Sequence, residues 1–228
     1  MPQKSKILLV DDHPLVREWL LKLIQEEPDL EVCGQAGSPR EALGLMSSLA
    51  PDAVVVDILL EDGSGLELVK DIKALYPQVA SLVLSMHDEM LYAERAMRAG
   101  AAGYITKREA TSKILEGIRT VLGGGLYFSN AVNALIAQKA VQGKNVWPTS
   151  VEALSDRELE VFRLLGLGMN TRQISDQMNI SFKTVHTYCA RIKDKLNLAN
   201  INELLFQAIR WQENQAESPQ PDPLNTKD

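Results

Sequence analysis

The chain has 228 residues, 45% of them hydrophobic and 24% charged, and a formal net charge of -6, an ordinary composition for a folded soluble protein. No apolar run approaches the ~18 residues of a membrane span, and the opening Met1-Pro-Gln-Lys-Ser-Lys6 lacks a secretory core, so the expected location is the cytoplasm, away from the membrane. The only two cysteines, Cys33 and Cys189, are expected as reduced, buried thiols, which argues against a disulfide framework or a cysteine metal site.

Strand and helix signals alternate over the first half, the pattern of an α/β fold with a parallel sheet. Lys6 to Val10, Glu31 to Ala36, Ala53 to Asp57, Ala80 to Ser85 and Gly103 to Thr106 read as strands. Pro14 to Glu26, Ser38 to Ser48, Gly65 to Leu75, Glu89 to Ala99 and Ala110 to Leu122 read as the helices between them, with Pro14 in a first turn and Gly100 and Gly123 at helix ends. Five β/α units over 4–123 make one domain. Gly123-Gly124-Gly125 breaks the pattern, and 124–149 is expected to be a linker with one helix, Ser129 to Val141.

From Ser150 strand alternation gives way to helix caps. Ser155 with Glu158 and Asn170 with Gln173 have capping-box spacing. A helix after Ser155 closes at Gly168, and others follow at Asn170 to Met178, Phe182 to Leu196 and Asn202 to Trp211. These make a small all-α four-helix domain over 150–212. The polar, proline-containing tail 213–228 is expected to be disordered.

Charge is distributed unevenly. Residues 1–128 carry 13 basic and 19 acidic side chains, residues 150–212 carry 8 and 7, and the tail carries 1 and 4. Bulk charge therefore marks no part as a nucleic-acid binder, and such a role has to rest on where the cations of 150–212 lie.

Four of the strands end on groups suited to phosphoryl chemistry: Asp11-Asp12, Asp57, Ser85 and Lys107. The carboxyl ends of parallel strands share one sheet edge, where open α/β sheets place their ligands. Crowded carboxylates need a cation, and compact all-oxygen ligation favours Mg²⁺. Asp57 is the candidate nucleophile, since a carboxylate can take a phosphoryl group as an acyl phosphate. Asp11, Asp12, Asp57 and the backbone carbonyl of Leu59 are the candidate metal ligands. Lys107 supplies a positive charge for Asp57 and then for a phosphoryl oxygen, and Ser85 a hydrogen bond to that oxygen.

The Asp11-Asp12 pair, Asp57 in Val-Val-Val-Asp-Ile-Leu-Leu, Gly65, Ser85 and Gly-Tyr-Ile-Thr-Lys ending at Lys107 resemble the receiver domain of two-component response regulators. The resemblance implies a flavodoxin-like (βα)5 fold with a five-stranded parallel sheet. It also implies a phosphoryl group received from a sensor histidine kinase, with Mg²⁺ required. A receiver catalyses only its own phosphorylation and dephosphorylation, so no enzyme acting on a separate substrate is expected. The resemblance assigns a switch as well, in which Ser85 moves toward the phosphoryl group and Tyr104 repacks inward; an ordinary core role for Tyr104 stays open. Ser85 stands where threonine is commoner, and Arg108 follows Lys107 where proline is often found.

The helix Phe182 to Leu196 has an apolar stripe of Val185, Cys189, Ile192 and Leu196, with Tyr188 at its margin. Small and polar side chains bordered by cations occupy the other side, as a helix entering a DNA major groove requires. Leu154-Ser-Asp-Arg-Glu-Leu-Glu-Val161, Gly168-Met-Asn-Thr-Arg-Gln-Ile174, Ser181-Phe-Lys-Thr-Val185 and Ile192-Lys-Asp-Lys-Leu196 are similar to the LuxR-type helix-turn-helix. By that resemblance Phe182 to Leu196 is the recognition helix. Lys183, His186, Thr187 and Ala190 then fall where bases are read, and Thr184, Arg191 and Lys195 are candidates for phosphate contact. His186 and Tyr188-Cys189 depart from the usual pattern and leave the operator sequence open.

Receiver and helix-turn-helix together resemble the NarL/FixJ group. The expected function is transcription control in which phosphorylation of Asp57 governs dimerisation and binding to double-stranded DNA. A homodimer forms on phosphorylation, the last helix supplies much of its contact on DNA, and half-sites lie about one helical turn apart. Contact with RNA polymerase stays open. Two alternatives remain: a phosphatase or phosphotransferase acting on a small molecule, and a receiver that takes no phosphate and serves as a dimerisation or partner-binding module.

Overall fold

The computed structural model describes residues 4–60, 62–87, 89–109, 111–134, 137 and 151–216. In chain order the first unit holds β1 (Ser5–Val10), α1 (Pro14–Gln25), β2 (Leu30–Ala36), α2 (Pro39–Leu49), β3 (Ala53–Val56), the two-residue strands β4 (Leu59–Leu60) and β5 (Gly63–Ser64), α3 (Gly65–Leu75), β6 (Ala80–Ser85), α4 (Glu89–Ala99), β7 (Gly103–Thr106) and α5 (Thr111–Leu122). Five strands form a parallel sheet in the order β2-β1-β3-β6-β7. This is the expected flavodoxin-like (βα)5 arrangement. The antiparallel pair β4 and β5 was not foreseen, because two residues carry no periodicity to read.

Near-continuous burial of β1, β3 and β6 reflects a sheet covered on both faces. Leu20 and Ile24 of α1 and Ile114 and Ile118 of α5 pack on Ile7, Leu9, Val55, Leu82 and Leu84 in one cluster. At roughly 1.5–3 kcal/mol for each fully buried aliphatic side chain, this cluster is a principal source of the unit's stability. The sheet order reverses direction between β1 and β3. A crevice therefore opens at their carboxyl ends, and Asp11, Asp12 and Asp57 follow those two strands.

The stretch expected to begin a linker is built into the first unit. Tyr127 N–H donates to Ala102 O (2.9 Å) and Tyr104 N–H donates to Tyr127 O (2.9 Å), which places Tyr127 in a parallel bridge beside β7. Gly103 permits this close approach, since a Cβ there would lie 2.7 Å from Tyr127 O. Ser129 N–H donates to Glu89 Oε1 (3.0 Å), and Phe128 and Val132 are buried. The segment thereby covers the otherwise open edge of β7. Residues 130–134 are helical, as is 137, and the remainder of the expected helix and linker, 135–136 and 138–150, lies outside the described residues.

The chain divides into two compact units at Val141/Gln142. The second opens with a 3-10 turn at Val151–Ala153, followed by α6 (Asp156–Gly166), α7 (Thr171–Met178), α8 (Phe182–Leu196) and α9 (Ile201–Ala216). Both predicted capping boxes form: Ser155 with Glu158, and Asn170 with Gln173. Val185, Cys189 and Ile192 of α8 and Leu204, Ala208 and Trp211 of α9 are buried, and the Trp211 ring lies 5.6 Å from that of Phe162 on α6. Helix α9 runs past Trp211, so 213–216 are helical where a tail was expected; 217–228 lie outside the described residues. Cys189 is buried as expected, whereas Cys33 is only partly so, and both are free. No helix among the described residues is long and apolar enough to cross a membrane.

Glu158 ties this unit together. Its Oε2 accepts from Ser155 N–H (2.8 Å) and from Lys195 Nζ (2.7 Å) at the far end of α8. Burial would push its carboxyl up, yet the Lys195 ammonium and the Ser155 donors hold it below the ordinary glutamate value. The stabilisation is therefore complete above about pH 4.3 and is lost as pH falls through the depressed folded value. Glu158→Ala is expected to cost about 2–4 kcal/mol, from a lost cap and a lost charge-assisted bond. Hydrogen exchange of the α6 amides, compared at pH 7 and pH 4, checks this: protection should fall in the variant at pH 7, and the difference should shrink at pH 4.

Candidate functional site

Asp11 lies just past β1, Asp57 just past β3 and Lys107 just past β7. Each is positioned through the backbone: Asp11 N–H donates to Ala36 O (3.1 Å), Asp57 N–H to Val10 O (2.9 Å) and Lys107 N–H to Ser85 O (2.8 Å). Lys107 Nζ then donates to Asp11 Oδ2 (2.5 Å) and Asp57 Oδ2 (2.6 Å), with all three side chains at most 8% exposed. Burial alone would pull the Lys107 ammonium down, but the facing Asp57 and Asp11 carboxylates outweigh it and hold the group above the ordinary lysine value. The other oxygen of Asp57 accepts from Ile58 N–H (2.7 Å), so the carboxylate is fixed at both ends.

Asp12 completes the cluster. Ligand atoms from Asp11, Asp12, His13 and Asp57 all lie within 4.8 Å of one another. His13 Nδ1 is 2.6 Å from Asp12 Oδ1 but makes no hydrogen bond to it, and this buried oxygen has no hydrogen-bond partner among the described residues. Three carboxylates against one ammonium leave two negative charges in a crevice with an unsatisfied oxygen. The arrangement fits a small divalent cation.

In the second unit, α8 starts at the Ser181 cap, whose Oγ accepts from Thr184 N–H (3.1 Å), and ends at Asn197 in the left-handed conformation. Lys183, His186, Thr187, Ala190 and Arg191 are exposed along it. Thr184 is half-buried, its hydroxyl 2.7 Å from that of Ser181. Lys195 differs from the other cations in that its ammonium donates to Glu158 and to Ala153 O (3.0 Å), which braces α8.

Residues 7–119 match the response regulator receiver domain, and residues 152–208 match the luxR family of bacterial regulatory proteins. The transcriptional activator protein ExaE of Pseudomonas putida is 36% identical over 89% of this chain and 95% of its own length. Response regulator GacA of Pseudomonas aeruginosa is 33% identical over 90% of this chain and 95% of its own length. The chain is a response regulator of the NarL/FixJ family.

A crystal structure of a LuxR-family two-component response regulator from Aurantimonas sp. SI85-9A1 matches with a TM-score of 0.56 and 33% identity, covering 61% of the regulator and 99% of that chain. RcsB of Salmonella enterica serovar Typhimurium, bound to a promoter, matches at TM-score 0.57 and 21% identity over 91% of the regulator and 99% of that chain, a likeness of fold. The regulator thus joins a receiver to a LuxR-type DNA-binding domain and acts in transcription. A phosphatase or phosphotransferase acting on a free small molecule leaves the second unit without a role.

Ser85 is fully buried, and its Oγ accepts from His87 N–H (3.4 Å). Tyr104 is already inside, with its hydroxyl donating to His87 O (3.0 Å). The two expected switch residues therefore meet at the backbone of His87. Leu59 lies at the start of β4, two residues past Asp57, in a register paired with Ser64.

Sequence reasoning missed two contributors to the regulator's pocket. His13 borders both aspartates, and the Arg17 guanidinium, one helical turn further on, donates to Asp11 O. The only sequence signal for either was its nearness to Asp12.

Gly65 opens α3 against the backbone of the candidate acceptor Asp57: its N–H donates to Ile58 O (2.7 Å), and a Cβ would lie 1.8 Å from Asp57 O. Gly65→Ala is expected to destabilise the regulator by about 3 kcal/mol and to displace Asp57. Urea unfolding, with phosphoryl uptake measured alongside, checks both effects.

Proposed function

We propose that Asp57 takes a phosphoryl group from a histidine kinase and that the acyl phosphate so formed converts the regulator into a DNA-binding dimer. The supporting observation is the buried Asp57–Lys107–Asp11 arrangement beside the unsatisfied Asp12 oxygen. An Asp57 oxygen attacks phosphorus, the P–N bond to the kinase imidazole breaks, and that nitrogen leaves with the bonding pair and takes a proton. Asp11, Asp12, Asp57 and the Leu59 carbonyl would hold Mg²⁺, which when bound would supply charge neutralisation for the transferring group. Lys107 exchanges one carboxylate contact for a phosphoryl oxygen. The regulator's only catalysis is this self-modification and its hydrolysis.

Phosphorylation replaces one negative charge by about two in a buried pocket. Ser85 Oγ turns to donate to a phosphoryl oxygen, withdrawing its acceptor from His87 N–H and loosening the segment that anchors the Tyr104 hydroxyl. Shifting a two-state equilibrium from 1:99 to 99:1 requires about 5.5 kcal/mol, within the range of a few charge-assisted hydrogen bonds.

The output is recognition of double-stranded DNA in the cytoplasm through Lys183, His186, Thr187 and Ala190 at bases and Thr184 and Arg191 at phosphates. Lys195, already tied to Glu158, contributes by holding α8. Exposed Ile201, Phe206 and Ile209 on α9 support this helix as the dimer contact, and RNA polymerase is a partner open to the DNA-bound dimer.

Acetyl phosphate with Mg²⁺ should convert the protein to a dimer by light scattering and raise its affinity for promoter DNA. Intact mass should show one added phosphoryl group. A protein that takes the group but changes neither dimerisation nor DNA affinity contradicts the proposal. One that takes no group supports the partner-module alternative.

A further inference from the structure

Phe182 is the first residue of α8 and is 51% exposed, while the apolar stripe of the same helix, Val185, Cys189 and Ile192, is buried. The ring is nonetheless held in place. It meets the His186 ring edge-on, with centroids 4.4 Å apart at 67°, one helical turn further on. Phe182, His186 and Ala190 lie at successive four-residue steps, about 40° apart around the axis, and so form one slanting strip on the outward face. Beside this strip the Thr187 hydroxyl turns back to donate to Lys183 O (3.0 Å), leaving a low, open surface.

Phe182 lies outside the buried stripe of α8 and is half exposed at the N-terminal end of the helix, where it is open to a partner. Recognition helices bring their N-terminal residues to base edges, where thymine carries the major-groove methyl and phenylalanine is a suitable partner for it. The phosphate backbone offers an apolar ring nothing comparable. We propose that Phe182 is a specificity-determining residue that packs on the C5-methyl of a thymine in each half-site, its ring edge fixing the His186 imidazole toward the adjacent base. The inference rests on the DNA-reading assignment of α8 made above.

The test uses the full-length protein treated with acetyl phosphate and Mg²⁺. Sites are selected from a random duplex library, and binding is then measured to selected duplexes in which single thymines are replaced by deoxyuridine, which lacks only the methyl. One thymine per half-site should prove sensitive, with a loss of about fourfold for the wild type, the worth of one buried methyl group. Phe182→Ala should show no loss at that position and no thymine preference there, with an unchanged melting temperature and salt dependence. Phe182→Gln, a stronger helix former than most polar residues, should behave alike and guards against a weakened helix start. Retention of the uracil penalty by both variants overturns the proposal. If the wild type selects no sequence at all, the DNA-reading assignment itself fails and the proposal with it.

Discussion

Asp57→Asn is expected to reduce phosphoryl uptake from acetyl phosphate by at least ~100-fold, measured by intact mass, while leaving the fold intact. The amide is a poor nucleophile of nearly the same size as the carboxylate, and its single oxygen can accept from Lys107 Nζ or from Ile58 N–H but not from both, so one of the two contacts is lost. Lys107 keeps Asp11 as a charged partner 2.5 Å away, so the substitution does not strand a buried ammonium. Lys107→Ala should be the more damaging change for stability, since it leaves the buried Asp11 and Asp57 carboxylates facing each other without a cation. Undiminished uptake by Asp57→Asn would place the acceptor elsewhere.

The second large effect is expected on α8. Ala190→Glu puts a carboxylate in the middle of the exposed face proposed to meet DNA, where like-charge opposition costs several kcal/mol; a loss of about 100- to 1000-fold in affinity is expected. Lys183→Ala removes one contact at the start of the helix and should cost about 1–3 kcal/mol. Fluorescence anisotropy with promoter DNA at two or more salt concentrations separates the two kinds of contact, because a lost phosphate contact lowers the salt slope by about one and a lost base contact does not. Lys195→Ala provides the contrast. Its ammonium is engaged by Glu158 and Ala153 O, so the variant should lose stability before it loses intrinsic affinity. Wild-type affinity in Ala190→Glu would remove α8 from the interface.

Much of this was legible in the chain because its signals are local and periodic. Short apolar runs ending on Asp11, Asp57, Ser85 and Lys107 gave strands with a shared functional edge, and a parallel sheet leaves few ways to arrange them. Capping residues at Ser155 and Asn170 located helices α6 and α7. The pairing of Tyr127 with β7 was hidden, since one residue beside an edge strand has no period and the preceding glycines suggested a linker. The bracing contact of Lys195 was hidden for a related reason: its partner, Glu158, is 37 residues away, and the pair meets only in the folded unit. Similarly, the Ser85–His87–Tyr104 connection depends on backbone groups that carry no residue-type signature.

Control of α8 by the state of Asp57 is open to genome-wide mapping of bound sites in cells expressing wild type or Asp57→Ala. The expected result is a set of wild-type sites sharing paired half-sites about one helical turn apart, with occupancy lost in the Asp57→Ala strain at equal protein level. The same sites at the same occupancy in both strains would contradict it.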